Sequence, residues 1–353
     1  MALPLLLGLV VSFGLLEMLT RLIFPPAVPQ FIPSQHFRLI YELNPRSPEI
    51  NSLGMRDEEL DLVRLHEHFV IAVIGDSHTY SVLSPKRENS FPARLQHHLN
   101  AIAGRQVKVL NFGVPGYNTI QELEVLRTKV LRLKPDLVVL QYTVNDAHIP
   151  NYIQPKHVWF NQVVYRSVFL TTFWTRLLYS GPGQRHVVPY VEKYAPDLLL
   201  FDPGLVGTER SRDTDPIHMW PHPPRSQDQV PARYHDFIGT DNMRKAVRAF
   251  GQICREARIP AIATGFIEDH DEDFYRESGF LVHSFFKIFD GIDMHAYGYD
   301  PACTWTHFDD NGSDWIGKAL SGFIQANISL STGAVRTPAD GIRLRSMAAD
   351  TNP

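Results

Sequence analysis

Four short polar clusters in this chain carry side chains suited to acyl-transfer chemistry. Gly75-Asp76-Ser77-His78-Thr79 follows the apolar run Phe69 to Ile74. A second cluster runs from Asn111 to Thr119 and holds Gly113, Pro115 and Gly116, and a third is Thr143-Val144-Asn145-Asp146. The fourth, near the end of the chain, is Thr306-His307-Phe308-Asp309-Asp310-Asn311-Gly312. Acyl transfer needs a nucleophile, a base to take its proton and fixed donors for the developing oxyanion. Ser77, at a sharp turn between a strand and a helix, offers an exposed hydroxyl, and His307 can act as its base if folding brings it to the same sheet edge. The backbone amides of Ser77 and Gly116 and the side-chain amide of Asn145 can converge as oxyanion donors. Glycine at 116 lets a substrate oxygen approach the backbone closely. Taken singly, each cluster reads as a turn, a cap or a capping pair. Their joint placement after strands is what points to chemistry.

The intervening segments supply the frame. Phe69 to Ile74 is a short apolar, β-branched run, as in a buried parallel strand. A helix is expected from about Ser90, with Phe91, Leu95, Leu99 and Ile102 on one face and Gly104 past its end. Val107 to Phe112 and Asp136 to Tyr142 read as the second and third strands. Between them Thr119-Ile120-Gln121-Glu122 reads as a capping box that opens a helix running to about Leu133. Residues 147–238, rich in Pro, His and aromatics, break the rhythm and read as an insertion. Regularity returns with a helix from Thr240, a strand over Pro260 to Ile267, a helical stretch from about Arg276 to Phe289, and a last helix starting near Ser313. That last helix is expected to bury Trp315, Ile316, Leu320, Phe323 and Ile324. Alternating strands and helices imply an α/β fold with a mainly parallel sheet covered on both faces, and ligands gather beyond the carboxyl ends of such strands.

Composition narrows the classes. The 353 residues are 44% hydrophobic and 20% charged with a net charge of -4, which gives no electrostatic case for nucleic acid. Cys254 sits at an apolar helical position and reads as a packed small hydrophobe; pairing with Cys303 is the less favoured expectation. His218 and His222 are four apart, but Pro221 between them and the lack of a carboxylate partner argue against a metal site. Neither G-x-G-x-x-G nor a Walker loop occurs, so no cofactor is expected. The segment Ala2 to Phe24, as a helix, would span about 34 Å, enough for a hydrocarbon core of roughly 30 Å. With no cleavage signature after it, residues 1–25 read as an uncleaved membrane anchor, ahead of a buried amphipathic or truncated leader helix. A Pro-rich connector over 26–66, a main domain over 67–328 and a flexible polar tail over 329–353 complete the expected organisation.

With those residues in place, the chain resembles the SGNH/GDSL hydrolase superfamily. Gly75-Asp76-Ser77 is similar to its first motif block, Gly116 to the glycine of the second, Asn145 to the asparagine of the third, and His307 to the base of the last. Asn51-Ser52-Leu53-Gly54-Met55-Arg56-Asp57 resembles a stretch of membrane-anchored bacterial members. The resemblance covers about residues 50 to 326 apart from the insertion. It implies a flavodoxin-like three-layer α/β/α sandwich and a serine ester hydrolase, a deacylase or deacetylase. It also implies a glycan or lipid-linked ester as substrate and a place in the bacterial cell envelope on the extracytoplasmic face, although Arg21 beyond the apolar run argues for the opposite orientation. An O-acyltransferase using the same residues, or a non-catalytic glycan-binding or assembly protein of the same fold, is the alternative. Two places depart from the pattern. Thr143 stands where a glycine is usual, and Thr304 stands where the triad acid is expected, three residues before His307. Asp300 on the same loop can then reach the imidazole, with Asp293 a weaker substitute; otherwise a backbone carbonyl or the Thr304 hydroxyl would orient the ring. Losing a triad acid outright costs about 10⁴-fold in well-studied triads, so a Ser-His dyad would be slower rather than inert.

Overall fold

Seven consecutive buried residues, Phe69–Gly75, form the interior strand β1. No face of this strand meets water, which is why its sequence is continuously apolar rather than alternating. The computed structural model describes residues 2–23, 28–102, 106–147, 152–153, 167–170, 199–200, 232–301 and 306–330. It divides into two compact units, one made of Met1–Pro48 with Asn151–Pro223 and one of Glu49–Pro150 with Pro224–Pro353.

The larger unit is the α/β domain. After β1 come α1 (Ser77–Tyr80), α2 (Phe91–Asn100), β2 (Val107–Gly113), α3 (Thr119–Thr128), β3 (Leu137–Tyr142), α4 (Thr240–Glu256), β4 (Ala261–Gly265), α5 (Asp269–Glu277), β5 (Leu281–Ser284), α6 (Phe285–Ile288) and α7 (Asp310–Asn327). The five strands pair in parallel in the order β2-β1-β3-β4-β5, which is the flavodoxin-like order. Phe69, Ile71 and Val73 pack with Phe91, Leu95 and Leu99 of α2 and Ile316, Leu320 and Ile324 of α7 in one core. Residues of alternate register point to the opposite face, and α3 packs there against β1 and α4. The three-layer α/β/α sandwich is therefore as the sequence implies.

Several boundaries differ. The expected helix over Arg276 to Phe289 is instead the end of α5, the strand β5 and the short α6. Gly279, at φ +101°, stops α5, and Leu281–Ser284 pairs with Ile262–Gly265; a four-residue edge strand carries too little pattern to be told from helix. Helix α2 stops at Asn100, which leaves Ile102 exposed. The cap of α3 is Asn118, not Thr119: its side chain accepts from the Ile120 and Gln121 amides, and Gln121 returns a bond to the Asn118 amide. Replacing Asn118 with Ala also removes its bond to the Phe237 carbonyl, 2.8 Å away, and is expected to cost about 1–2 kcal/mol in urea unfolding. Helix α7 starts at Asp310, earlier than Ser313, because Asp309 caps it. Its Ile316, Leu320 and Ile324 are buried, while Trp315 and Phe323 are partly buried against the same core. Cys254 is buried in α4 with its thiol unpaired, and burial pushes its pKa up to about 12.

In the smaller unit, Ala2–Ile23 is a single helix, long and apolar enough over Leu3–Ile23 to cross a membrane, with a mean hydropathy of 2.0. Its Glu17 carboxylate accepts from the Ser167 hydroxyl at 2.6 Å and from the Val168 and Phe169 amides at 2.9 and 3.0 Å, and Phe13 meets the Phe169 ring edge-on. The expected connector is not merely extended, since Phe31–Pro33 pairs antiparallel with Tyr41–Leu43. Cys303, Thr304, His218, His222, most of 147–238 and the tail beyond 330 lie outside the described residues.

Candidate active site

The Ser77 hydroxyl lies 2.7 Å from His307 Nε2, although 230 residues separate them in sequence. Each is placed by a distinct local device. Ser77 opens α1 directly after β1, and Asp76 caps that helix by accepting the His78 amide at 2.9 Å. Gly113, at the end of β2, lets α1 lie flat on the neighbouring strand: a Cβ there would stand 2.2 Å from the Tyr80 nitrogen. Asn111 ties the same two elements by donating to the Thr79 carbonyl and accepting from the Gly113 amide. On the other side, Asp309 caps α7 and donates its own amide to the Tyr297 carbonyl. Phe308 stacks on Phe289 and Tyr299 at ring distances of 5.0 and 4.8 Å. His307 is thus followed at once by an aromatic plug and a helix cap.

The expected oxyanion donors stand at the ends of adjacent strands, because β1 is flanked by β2 and β3. Ser77 follows β1, Gly116 lies in the loop after β2 and Asn145 in the loop after β3. Gly116 has φ +78° in a turn closed by the Tyr117 amide on the Val114 carbonyl, a conformation that favours glycine. As the first residue of a helix, Ser77 has an amide with no intrahelical acceptor.

Asp76 is fully buried and organises the floor. Its Oδ2 accepts from the Thr143 hydroxyl at 2.9 Å and lies 3.4 Å from the Ser77 hydroxyl, and Thr143 also bonds the Asn145 side chain. Threonine at the place where glycine is usual therefore links two motif loops. Burial pushes the Asp76 pKa up, opposed by the His78 amide, the nearby His307, Thr143 and Asn145. Behind it, Glu122 and Asp146 are buried as well. Burial, reinforced by the charge of neighbouring carboxyls, holds both well above the ordinary carboxylate range. Neither Glu122 oxygen has a hydrogen-bond partner among the described residues.

Asp300 lies near this loop, with its amide and carbonyl both bonded to the Thr306 hydroxyl and its carboxylate 4.0 Å from His295. Asp293 caps the Met294–Tyr297 turn. No set of three His, Cys, Asp or Glu side chains among the described residues converges on a metal position.

Sequence reasoning passed over four contributors. Asp76 and Thr143 act through contacts between loops, which spacing does not reveal. Glu122 looked like a capping partner, yet it faces the protein interior. Arg56 is buried and donates to the Tyr80, Ser81 and Ser84 carbonyls, so it braces the chain just after α1. Its stretch was legible only as a resemblance.

The family model described as GDSL-like Lipase/Acylhydrolase family matches residues 73–284. No curated protein matches the chain. Among solved structures, a putative lipolytic protein of G-D-S-L family from Desulfitobacterium hafniense DCB-2 is similar at 13% identity, covering 72% of this chain and 99% of its own, with a TM-score of 0.36. An acetyl xylan esterase is similar at 13% identity over 72% and 99%, with a TM-score of 0.38. A psychrotrophic esterase from Pseudoalteromonas sp. is similar at 10% identity over 73% and 97%, with a TM-score of 0.39.

Proposed function

Because the chain belongs to the GDSL-like lipase/acylhydrolase family and is a carboxylic ester hydrolase of the SGNH type, we propose that Ser77 is its nucleophile and His307 its general base. The observation that carries this reading is the 2.7 Å contact between the Ser77 hydroxyl and His307 Nε2. In the proposed reaction His307 takes the Ser77 proton as the oxygen attacks the ester carbonyl. The tetrahedral oxyanion is met by the Ser77 and Gly116 amides and the Asn145 side-chain amide. Collapse breaks the bond to the alkoxy group, which leaves as the alcohol with the proton from His307. Water, deprotonated in turn by His307, then releases the carboxylic acid and restores Ser77. Asp300 is the proposed carboxylate for orienting His307, being on the same loop.

The substrate we assign is an acylated glycan or a lipid-linked ester, with acetyl as one acyl group, at the extracytoplasmic face of a bacterial envelope. Support for a membrane setting comes from the apolar helix Leu3–Ile23, which acts here as an anchor. Wild-type protein is expected to hydrolyse p-nitrophenyl acetate and to be labelled by a fluorophosphonate, and Ser77→Ala to lose the label and all but a small residue of the hydrolysis. Equal signals from the two proteins would overturn the assignment. Transfer to a sugar hydroxyl would proceed through the same acyl-enzyme, and product analysis with an added glycan acceptor separates it from hydrolysis.

A further inference from the structure

The residue after the nucleophile is a second histidine whose ring lies against the base. The His78 and His307 ring centroids are 4.7 Å apart with planes 32° from parallel. His78 is itself held by an aromatic nest, with Phe266 at 5.5 Å, Phe308 at 5.8 Å and Tyr299 at 6.1 Å. Its backbone amide is fixed on the Asp76 carboxylate. Nδ1 of His78 is buried and has no hydrogen-bond partner among the described residues. The contacts of this ring are aromatic.

We propose that His78 is a positioning residue that acts through His307, its ring bracing one face of the imidazole so that Nε2 stays aimed at the Ser77 hydroxyl. The inference rests on the Ser77-His307 reading above. Two physical effects follow from the stack. A braced ring keeps the nucleophile and base within reach without spending rotamer freedom each turnover. When His307 takes the proton, the imidazolium forms over the π face of a ring that burial keeps neutral, with its pKa pushed down to about 3. A cation over such a face is stabilised rather than repelled. The brace would work beside Asp300, since Thr304 stands where the resemblance implies the acid.

The test compares three side chains at position 78 in the full-length protein. His78→Leu fills the space without a ring and is expected to lower kcat for p-nitrophenyl acetate about 5- to 30-fold while leaving KM within about twofold. His78→Phe keeps a flat ring and is expected to recover most of that loss. If Leu melts out the fold, His78→Gln, polar and ringless, takes its place with the same expected loss. Equal kcat in the Phe and ringless variants would overturn the proposal, because space-filling alone would then explain the residue. So would a ringless variant as fast as wild type. Ser77→Ala, measured alongside, separates the two levels. If it keeps activity close to wild type, the nucleophile assignment itself is wrong, whereas a Ser77→Ala variant reduced to residual activity with indifferent His78 variants removes only the bracing role.

Discussion

Ser77→Ala is expected to lower kcat/KM for ester hydrolysis by about 10⁴- to 10⁶-fold, and His307→Ala by a comparable factor. The double variant is expected to be no worse than either single one. A nucleophile without its base and a base without its nucleophile fail at the same step, so the two losses do not add. Residual activity should remain above the uncatalysed rate, because the Gly116 and Asn145 donors stay in place. Both substitutions remove half-buried polar atoms from a site edge rather than core volume, so melting temperatures should stay close to wild type. Losses that multiply in the double variant would mean that Ser77 and His307 act in separate steps, and the 2.7 Å contact would then have no catalytic meaning.

Glu122→Gln is expected to make the protein more stable, and increasingly so as pH rises. The native state holds the Glu122 carboxyl protonated well above its ordinary value of 4.5, chiefly through burial and then through Asp146 and Asp76. The unfolded chain releases that proton once pH passes the ordinary value, so it binds fewer protons than the native state. Native stability is therefore fully present below that pH and falls as pH rises toward the raised native value. Glutamine cannot ionise and escapes the fall. The variant should match wild type near pH 4 and exceed it by about 1–3 kcal/mol near pH 8, or about 2–4 °C of Tm for each kcal/mol in a domain of this size. Chemical denaturation at the two pH values checks this. A gain that is the same at both, or wild-type stability that climbs with pH, would show that Glu122 is ionised in the native protein.

The first three strands were legible because β1 is buried on both faces and so is written as an unbroken apolar run, while β2 and β3 are apolar but for Lys108, Asn111 and Gln141, each strand being closed by a glycine or a polar cluster. The edge strand β5 was not legible. Four residues between a helix-stopping glycine and another helix leave no period to read, and only pairing with β4 makes them a strand. Among site residues, Ser77, Gly116, Asn145 and His307 stand out because each occupies a strand-end or pre-helix position where polarity has no packing reason. Asp76 and Thr143 carry the same signal but sit beside more conspicuous neighbours, and their hydrogen bond crosses from one loop to the next. Glu122 was misread for a physical reason. An acid in the first turn of a helix is ordinarily there to satisfy amides, and nothing local announces that Asn118 and Gln121 already perform that task.

Glu17 bears on how the molecule can be cut. It is the acceptor for the Ser167 hydroxyl and for the Val168 and Phe169 amides, so the apolar helix is stitched to chain that follows about 150 positions later. Deleting the first two dozen residues to improve handling in water would strip three donors of their carboxylate in one stroke and leave the Phe169 ring without Phe13. Glu17→Gln in the intact chain, which shortens no element and keeps one oxygen acceptor, is the gentler way to ask what that stitch holds.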